Sequence, residues 1–118
     1  MQAPRDPILA TLLDLDGQVL VVDPAGRHYV RFVVTRVPAS PEKPHGIDYL
    51  LTLHGPDGKR LVGFDNAHAV GRRKGRQAHD HRHRLGTVKA YEYRDAATLL
   101  EDFWTAVDSV LRERGVTP

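Results

Sequence analysis

The side chains best suited to catalysis or metal binding lie together near residue 80. Residues 79–83 read His-Asp-His-Arg-His. If this segment is extended, the two-residue period of a strand places three imidazoles on one face and the charged side chains on the other. Four of the seven histidines fall between Ala67 and Gly86: His68, His79, His81 and His83. Such a row of imidazoles suits metal binding or proton transfer.

Metal binding is the less favoured of the two chemistries. A His-x-His pair on a strand can offer two neutral imidazole nitrogens to one Zn²⁺, with His68, His79 or Asp65 as a third ligand. Nearby basic side chains oppose a dication, however. We therefore expect no cofactor and keep a metal-dependent hydrolase as an alternative.

Acid–base cleavage of RNA requires no metal. Histidine changes charge near neutral pH, so one imidazole can take the proton of a ribose 2′-OH while another protonates the leaving 5′-oxygen. We assign these roles to His81 and His83, with Arg82 beside them to stabilise charge on phosphorus. DNA lacks the 2′-OH and would be spared. The alternative is that the histidines are exposed loop residues without a specific role.

Positive charge is concentrated in the same stretch. The whole chain carries a formal charge of +2, whereas residues 67–86 carry +5. The basic side chains there are Arg72, Arg73, Lys74, Arg76, Arg82 and Arg84. A local basic patch attracts phosphate backbones, so the run 72–76 and Arg84 are candidate RNA-binding residues. A non-catalytic nucleic-acid-binding or regulatory module that uses the same basic stretch is an alternative function. A solvated loop is the other interpretation of the charge.

Asp65 and Asn66 stand directly before this basic stretch. Side chains of these types often bond nearby backbone where a strand ends. Asp65 can also orient a histidine and fix its tautomer, a role for which Asp80 is a second candidate. Asn66 is a candidate RNA contact.

Glycine and proline divide the chain into short extended segments. Residues 27–37 form the best predicted strand, with Val30, Phe32 and Val34 on one face. Residues 49–54 and 59–64 form a predicted hairpin across a Gly-Pro-Asp-Gly turn, and residues 88–93 form a further strand. The segment 67–86 has no apolar periodicity and is predicted to be a long loop.

The two ends of the chain differ in how clearly they indicate structure. The apolar residues at 8–13 fit a helix or a strand, and we expect strands there and at 18–22. At the other end, Asp95 caps a predicted amphipathic helix that ends at Gly115, with Trp104 close to its apolar stripe and expected in the core. Together these elements predict one α+β domain, residues 1–118, with an antiparallel sheet of about four to five strands packed against the C-terminal helix.

Composition excludes several classes of protein. A chain of 118 residues without cysteine forms no disulfide and no thiolate metal site. No apolar stretch approaches the roughly 20 residues that span a bilayer, and the first residues lack the pattern of a signal peptide. We therefore expect a cytoplasmic protein with no membrane association.

The order of five short motifs resembles the TumE family of small bacterial toxins, over about residues 29–111. The motifs are His45-Gly46-Ile47-Asp48-Tyr49, Gly63-Phe64-Asp65-Asn66, Asp80-His81-Arg82-His83, Ala90-Tyr91-Glu92-Tyr93 and Leu99-Leu100-Glu101-Asp102-Phe103. The resemblance implies an mRNA endonuclease of a type II toxin–antitoxin pair, held inactive by a cognate antitoxin. It marks Asp65, Asn66, Asp80, His81, Arg82 and His83 as site residues. The link 67–79 is longer here than is usual in the family.

Overall fold

Strand-forming residues between the turns build an antiparallel meander. The computed structural model describes residues 6–67 and 80–118, and within them six strands neighbour one another in chain order. The strands are β1 (Val19–Val21), β2 (Tyr29–Arg36), β3 (Ile47–His54), β4 (Arg60–Asp65), β5 (Asp80–Arg84) and β6 (Thr87–Tyr91). Two helices accompany them, α1 (Leu9–Asp14) and α2 (Ala96–Glu113). The predicted α+β class and C-terminal helix are confirmed, with more strands than expected.

Alternation along β2 decides which face of the sheet is buried. Val30, Phe32 and Val34 are buried, as predicted, and lie opposite apolar residues of β3. Helix α2 covers this face with Ala96, Leu99, Phe103, Val107, Val110 and Leu111. The ring of Phe103 meets Phe32 edge-on at a centroid distance of 5.8 Å. One face of the sheet and one face of α2 therefore form the core.

Helix α2 begins and ends as the sequence predicts. The Asp95 carboxylate accepts a 2.8 Å hydrogen bond from the backbone amide of Thr98, and this bond lowers the pKa of Asp95. Gly115 follows the helix with a positive φ of 73°. Trp104 packs against the rings of Phe32 and Phe103. Within the described residues, neither helix has the length and apolar character to cross a membrane.

The prediction of strand structure at residues 8–13 is wrong. Residues Leu9–Asp14 form helix α1, and only the next segment forms a strand, β1. Leu12 is fully buried, and α1 contacts both α2 and β2. Six apolar-rich residues are too few for periodicity to separate helix from strand, so tertiary packing decides.

The predicted loop 67–86 is wrong at its C-terminal end. Residues Asp80–Arg84 form β5, which turns through Leu85 and Gly86 into β6. Both turn residues have positive φ, 49° and 89°, as a two-residue hairpin turn requires. Strand β5 lacks an apolar face because histidines occupy one side and charged residues the other. The rest of the predicted loop, residues 68–79, lies outside the described residues.

Three tyrosines on the core side tie separate elements together by donating to carboxylates. The bonds run from Tyr49 to Asp80 at 2.6 Å, from Tyr91 to Asp102 at 2.7 Å and from Tyr93 to Asp6 at 2.7 Å. They join β5 to β3, β6 to α2, and the end of β6 to the segment before α1. Burial is the main cause that raises the pKa of all three phenols well above the usual range, and the bond to the carboxylate raises it further.

We expect these three phenols to ionise together with alkaline unfolding. Their pKa values are raised in the folded protein, whereas an unfolded tyrosine ionises near pH 10, about its model value. The unfolded state therefore releases protons first, so stability falls as pH rises through this value and beyond. Phenolate absorbance and circular dichroism should change in one step, and Tyr91→Phe should remove one phenolate from that step. Independent ionisation of all three with unchanged circular dichroism would contradict the prediction.

Candidate functional site

The sheet face turned away from α2 carries polar side chains from four adjacent strands. We call it the polar face, formed by Tyr29, Arg31, Thr52, His54, Arg60, Asp65, His81 and His83. Strand register creates it, because Asp65 on β4 lies opposite His81 on β5, and Gly63 lies opposite His83. Residues directly opposite each other in an antiparallel pair share one face. The two predicted catalytic histidines and Asp65 are thereby brought together.

The Asp65 carboxylate lies between the two imidazoles. Its Oδ2 is 2.9 Å from His83 Nε2, and its Oδ1 is 3.5 Å from His81 Nδ1. Oδ1 also accepts a 3.0 Å hydrogen bond from the backbone amide of Ala67. Asp65 is only 7% exposed, and the two imidazole centroids are 6.2 Å apart. We call Asp65, His81 and His83 the histidine–aspartate cluster.

Arg60 is a member of this surface that sequence reasoning missed. Its guanidinium lies 3.2 Å from His83 Nδ1. Because guanidinium only donates and carboxylate only accepts, the partners of His83 indicate a neutral ring with its hydrogen on Nε2. Asp65 and Arg60 together fix both the orientation and the tautomer of this imidazole.

A β-bulge explains why Arg60 escaped notice. Simple alternation along β4 puts Arg60 on the same face as Val62, which is in the core. In the structure Leu53 pairs with Val62 but His54 pairs with Arg60, so Leu61 is the additional residue. Both Leu61 and Val62 are buried, and Arg60 turns to the polar face.

Gly63 provides the space across which Arg60 reaches His83. A Cβ atom built on Gly63 would lie 3.2 Å from Arg60 Cδ and 3.5 Å from its Nε. A methyl group at this position would push the Arg60 side chain a few tenths of an ångström away from the strand. The glycine is therefore part of the arrangement of the cluster.

The charged residues of β5 lie on the opposite face. Asp80 accepts the hydrogen bond from Tyr49, and Arg84 donates to Ser109 at 3.1 Å and pairs with Glu113. Arg82 is exposed. On this geometry Asp65, rather than Asp80, is the carboxylate between the histidines. The structure thus separates Asp80, Arg82 and Arg84 from the side of the sheet where His81 and His83 lie.

Several predicted residues fall in the segment that is not described. Arg72, Arg73, Lys74 and Arg76, together with His68 and His79, lie outside residues 6–67 and 80–118. Within those two ranges, no group of three or more histidine, aspartate or glutamate side chains has an arrangement suited to a metal ion.

A comparison with known protein families gives a match over most of the chain. The model of the family described as Toxin TumE matches residues 13–111. The chain belongs to the TumE toxin family. The match includes the whole histidine–aspartate cluster and nearly all of α2. Comparisons with curated proteins and with solved structures find no match.

Asn66 of this TumE family member has a bonding pattern that serves the fold. It is 5% exposed, its Oδ1 accepts from the backbone amide of Tyr49 at 3.0 Å, and its Nδ2 donates to the Ile47 carbonyl at 2.7 Å. The Lys43 ammonium group donates to the backbone carbonyl oxygen of Asn66 at 2.9 Å. The side chain replaces backbone partners just where β4 ends, and so holds the strand end that carries Asp65.

We expect Asn66→Ala to lower the free energy of unfolding by about 1–3 kcal/mol, because two buried backbone groups lose their partners. Urea unfolding measures this change. The matched control is Asp48→Ala, which removes an exposed ion pair to Lys43 and none of the bonds to Asn66, and should cost no more than about 1 kcal/mol. If Asn66→Ala leaves stability unchanged but weakens RNA binding, Asn66 is a direct RNA contact instead.

Proposed function

We propose that this TumE family toxin is a metal-independent endoribonuclease that acts on mRNA in the cytoplasm and is held inactive by a cognate antitoxin. The observation that carries the proposal is the Asp65 carboxylate between two imidazoles, hydrogen-bonded to His83 and 3.5 Å from His81, with the guanidinium of Arg60 on the other side of His83. General acid–base catalysis requires two titratable groups in fixed positions, and electrostatic stabilisation requires a nearby cation.

His83 is the proposed general base. Its Nδ1 accepts from Arg60 and is therefore the nitrogen with a lone pair. The bond from Nε2 to Asp65 stabilises the positive charge that forms when Nδ1 takes the proton of the 2′-OH, as an orienting carboxylate does in hydrolase triads. Arg60 must leave Nδ1 for this step. A phosphate group offers the guanidinium a stronger, charged acceptor.

His81 is the proposed general acid. As the 2′-oxygen attacks phosphorus, the bond from phosphorus to the 5′-oxygen breaks, and His81 gives that oxygen a proton. The products are a 2′,3′-cyclic phosphate and a free 5′-hydroxyl, with no water consumed. With 6.2 Å between the ring centroids, both imidazoles lie within reach of one phosphate group.

The remaining predicted residues fit supporting roles in this proposal. Arg60 takes the phosphate-stabilising role that the sequence assigned to Arg82. Arg82 and Lys89 are exposed neighbours on β5 and β6, and with the basic run 72–76 they would attract RNA at longer range. Arg84 and Asp80 hold β5 to α2 and β3, and Asn66 positions Asp65.

We expect His83→Ala and His81→Ala each to reduce RNA cleavage by about 10²–10⁴-fold, the usual contribution of a positioned acid or base. Asp65→Asn should reduce it to a similar extent, because an amide no longer fixes the tautomer of His83 or stabilises its charged form. Purified protein is assayed on single-stranded RNA with and without EDTA, and the product ends are identified. The same variants should relieve the growth arrest caused by expressing the toxin alone. His45→Ala is the matched control, since His45 packs on Tyr93 away from the cluster.

Three outcomes would overturn this mechanism. Wild-type protein that binds RNA without cutting it would leave a binding module. Loss of activity in EDTA would favour a metal-dependent hydrolase. Full activity in both histidine variants would place the chemistry elsewhere in the chain.

We also expect Gly63→Ala to reduce cleavage about two- to tenfold, because the added methyl group displaces the guanidinium of Arg60 that is proposed to contact the phosphate, and one hydrogen bond contributes about 0.5–1.5 kcal/mol. Thermal stability should be retained, since alanine suits a strand interior at least as well as glycine. Arg60→Ala should reproduce the loss, and Gly63→Ala should add nothing to it. Lys59→Ala, an exposed neighbouring cation, is the control. Additive losses from Gly63→Ala and Arg60→Ala would show that the glycine acts by another route.

A further inference from the structure

We propose that Tyr29 and His54 form a subsite on which an unpaired base of the RNA stacks, beside the histidine–aspartate cluster. The inference rests on the proposed function and specifies its substrate as single-stranded RNA laid across the polar face. Neither residue belongs to the motifs that indicated the family, and neither takes part in the proposed proton transfers.

The two rings are already stacked. Tyr29 on β2 lies directly opposite His54 on β3, with ring centroids 5.0 Å apart and planes inclined by 11°. His54 is held at both nitrogens, with Nδ1 2.9 Å from the Gly58 carbonyl and Nε2 2.9 Å from Thr52 Oγ1. Its orientation is fixed before any ligand arrives, so little conformational entropy is lost on binding.

On the side away from His54, Tyr29 neighbours an exposed valine of β1. Val21 on β1 pairs with Tyr29 and is 63% exposed, and Val19 beside it is 55% exposed. Register places both valines on the polar face. A base inserted there would contact the tyrosine ring on one side and cover the exposed valine below it, which is the environment that favours stacking of a nucleobase.

The subsite is connected to the cluster along the sheet. His54 pairs with Arg60, whose guanidinium reaches His83. From β2 to β5 there are three strand separations, or about 14 Å at the usual spacing. An RNA strand crossing the sheet in this direction would place a base on Tyr29 and its phosphates along Arg60 toward the histidines.

Charge on the same face favours RNA over a protein partner. Arg31 on β2 is exposed and lies beside Tyr29, and Arg60 on β4 pairs with His54. On the same face, the Asp65 carboxylate is hydrogen-bonded to His83 and to the amide of Ala67 and lies 3.5 Å from His81. Aromatic rings flanked by cations are the usual combination for binding single strands without strict sequence preference. Base-paired RNA offers no free base face and should bind more weakly.

The test compares Tyr29→Leu with Tyr29→Phe. The probe is a single-stranded oligonucleotide with 2′-O-methyl riboses, which cannot be cleaved through the 2′-OH. Loss of the ring should raise its Kd about 5- to 100-fold, the range for removing one stacking aromatic side chain, whereas Tyr29→Phe should stay within about twofold. On cleavable RNA, Tyr29→Leu should raise KM and leave kcat nearly unchanged.

A second measurement locates the stacked base, first in the wild-type chain. A 2-aminopurine base is moved along the same oligonucleotide, and its fluorescence should be quenched at one position by stacking. In Tyr29→Leu, monitored as folded by circular dichroism, that quenching should disappear. An abasic residue at the quenched position should weaken wild-type binding and remove the difference between wild type and Tyr29→Leu.

The outcomes separate this inference from the proposed function. Cleavage by the wild type with an unchanged Kd in Tyr29→Leu and no quenched position overturns the subsite and leaves the ribonuclease. Quenching that depends on Tyr29, in a protein that cuts no RNA, supports the subsite and overturns the catalysis. If Tyr29→Leu weakens only binding of the antitoxin protein, the surface is a protein interface and the inference is wrong.

Discussion

The arrangement of the polar face depends on one buried carboxylate. Asp65 is 7% exposed, and a charged group at that depth is stable only when its oxygens are bonded. His83 Nε2 at 2.9 Å and the backbone amide of Ala67 at 3.0 Å supply those bonds, and His81 Nδ1 lies 3.5 Å from the same carboxylate. Shifting β5 by one residue along β4 would turn both imidazoles to the opposite face. The same carboxylate therefore favours one strand register and positions the imidazoles.

Two backbone features complete this constraint from the other end of β4. The bulge at Leu61 buries two adjacent apolar residues and turns Arg60 to the polar face, and Gly63 leaves the space over which that arginine lies. Asn66 holds the end of the strand through the backbone of β3. Strand β4 thus serves the core with Leu61, Val62 and Phe64, while its remaining positions hold the candidate site.

Features with a local physical signal could be predicted from the sequence, and features set by distant packing could not. The Val30–Val34 alternation and the Asp95 cap are local, and both are confirmed. Helix α1 depends on burial of Leu12 against α2, which no short window contains. Strand β5 is polar on both faces, so hydrophobic periodicity does not mark it. The sequence predicts that Asp65 orients a histidine. Arg60 joins them only because of a β-bulge, which a simple alternation of faces along β4 does not predict.

The two faces of the sheet separate the apolar core from the candidate site. Helix α2 and the tyrosine–carboxylate bonds hold the strands from the core side, while Asp65 favours the register of β4 and β5 from the polar face. Strand β5 links the two faces, since Arg84 bonds to α2 on one side while His81 and His83 contact Asp65 on the other. An anchored strand keeps its imidazoles in place without help from a bound ligand, which is the preorganisation that proton transfer and transition-state stabilisation require.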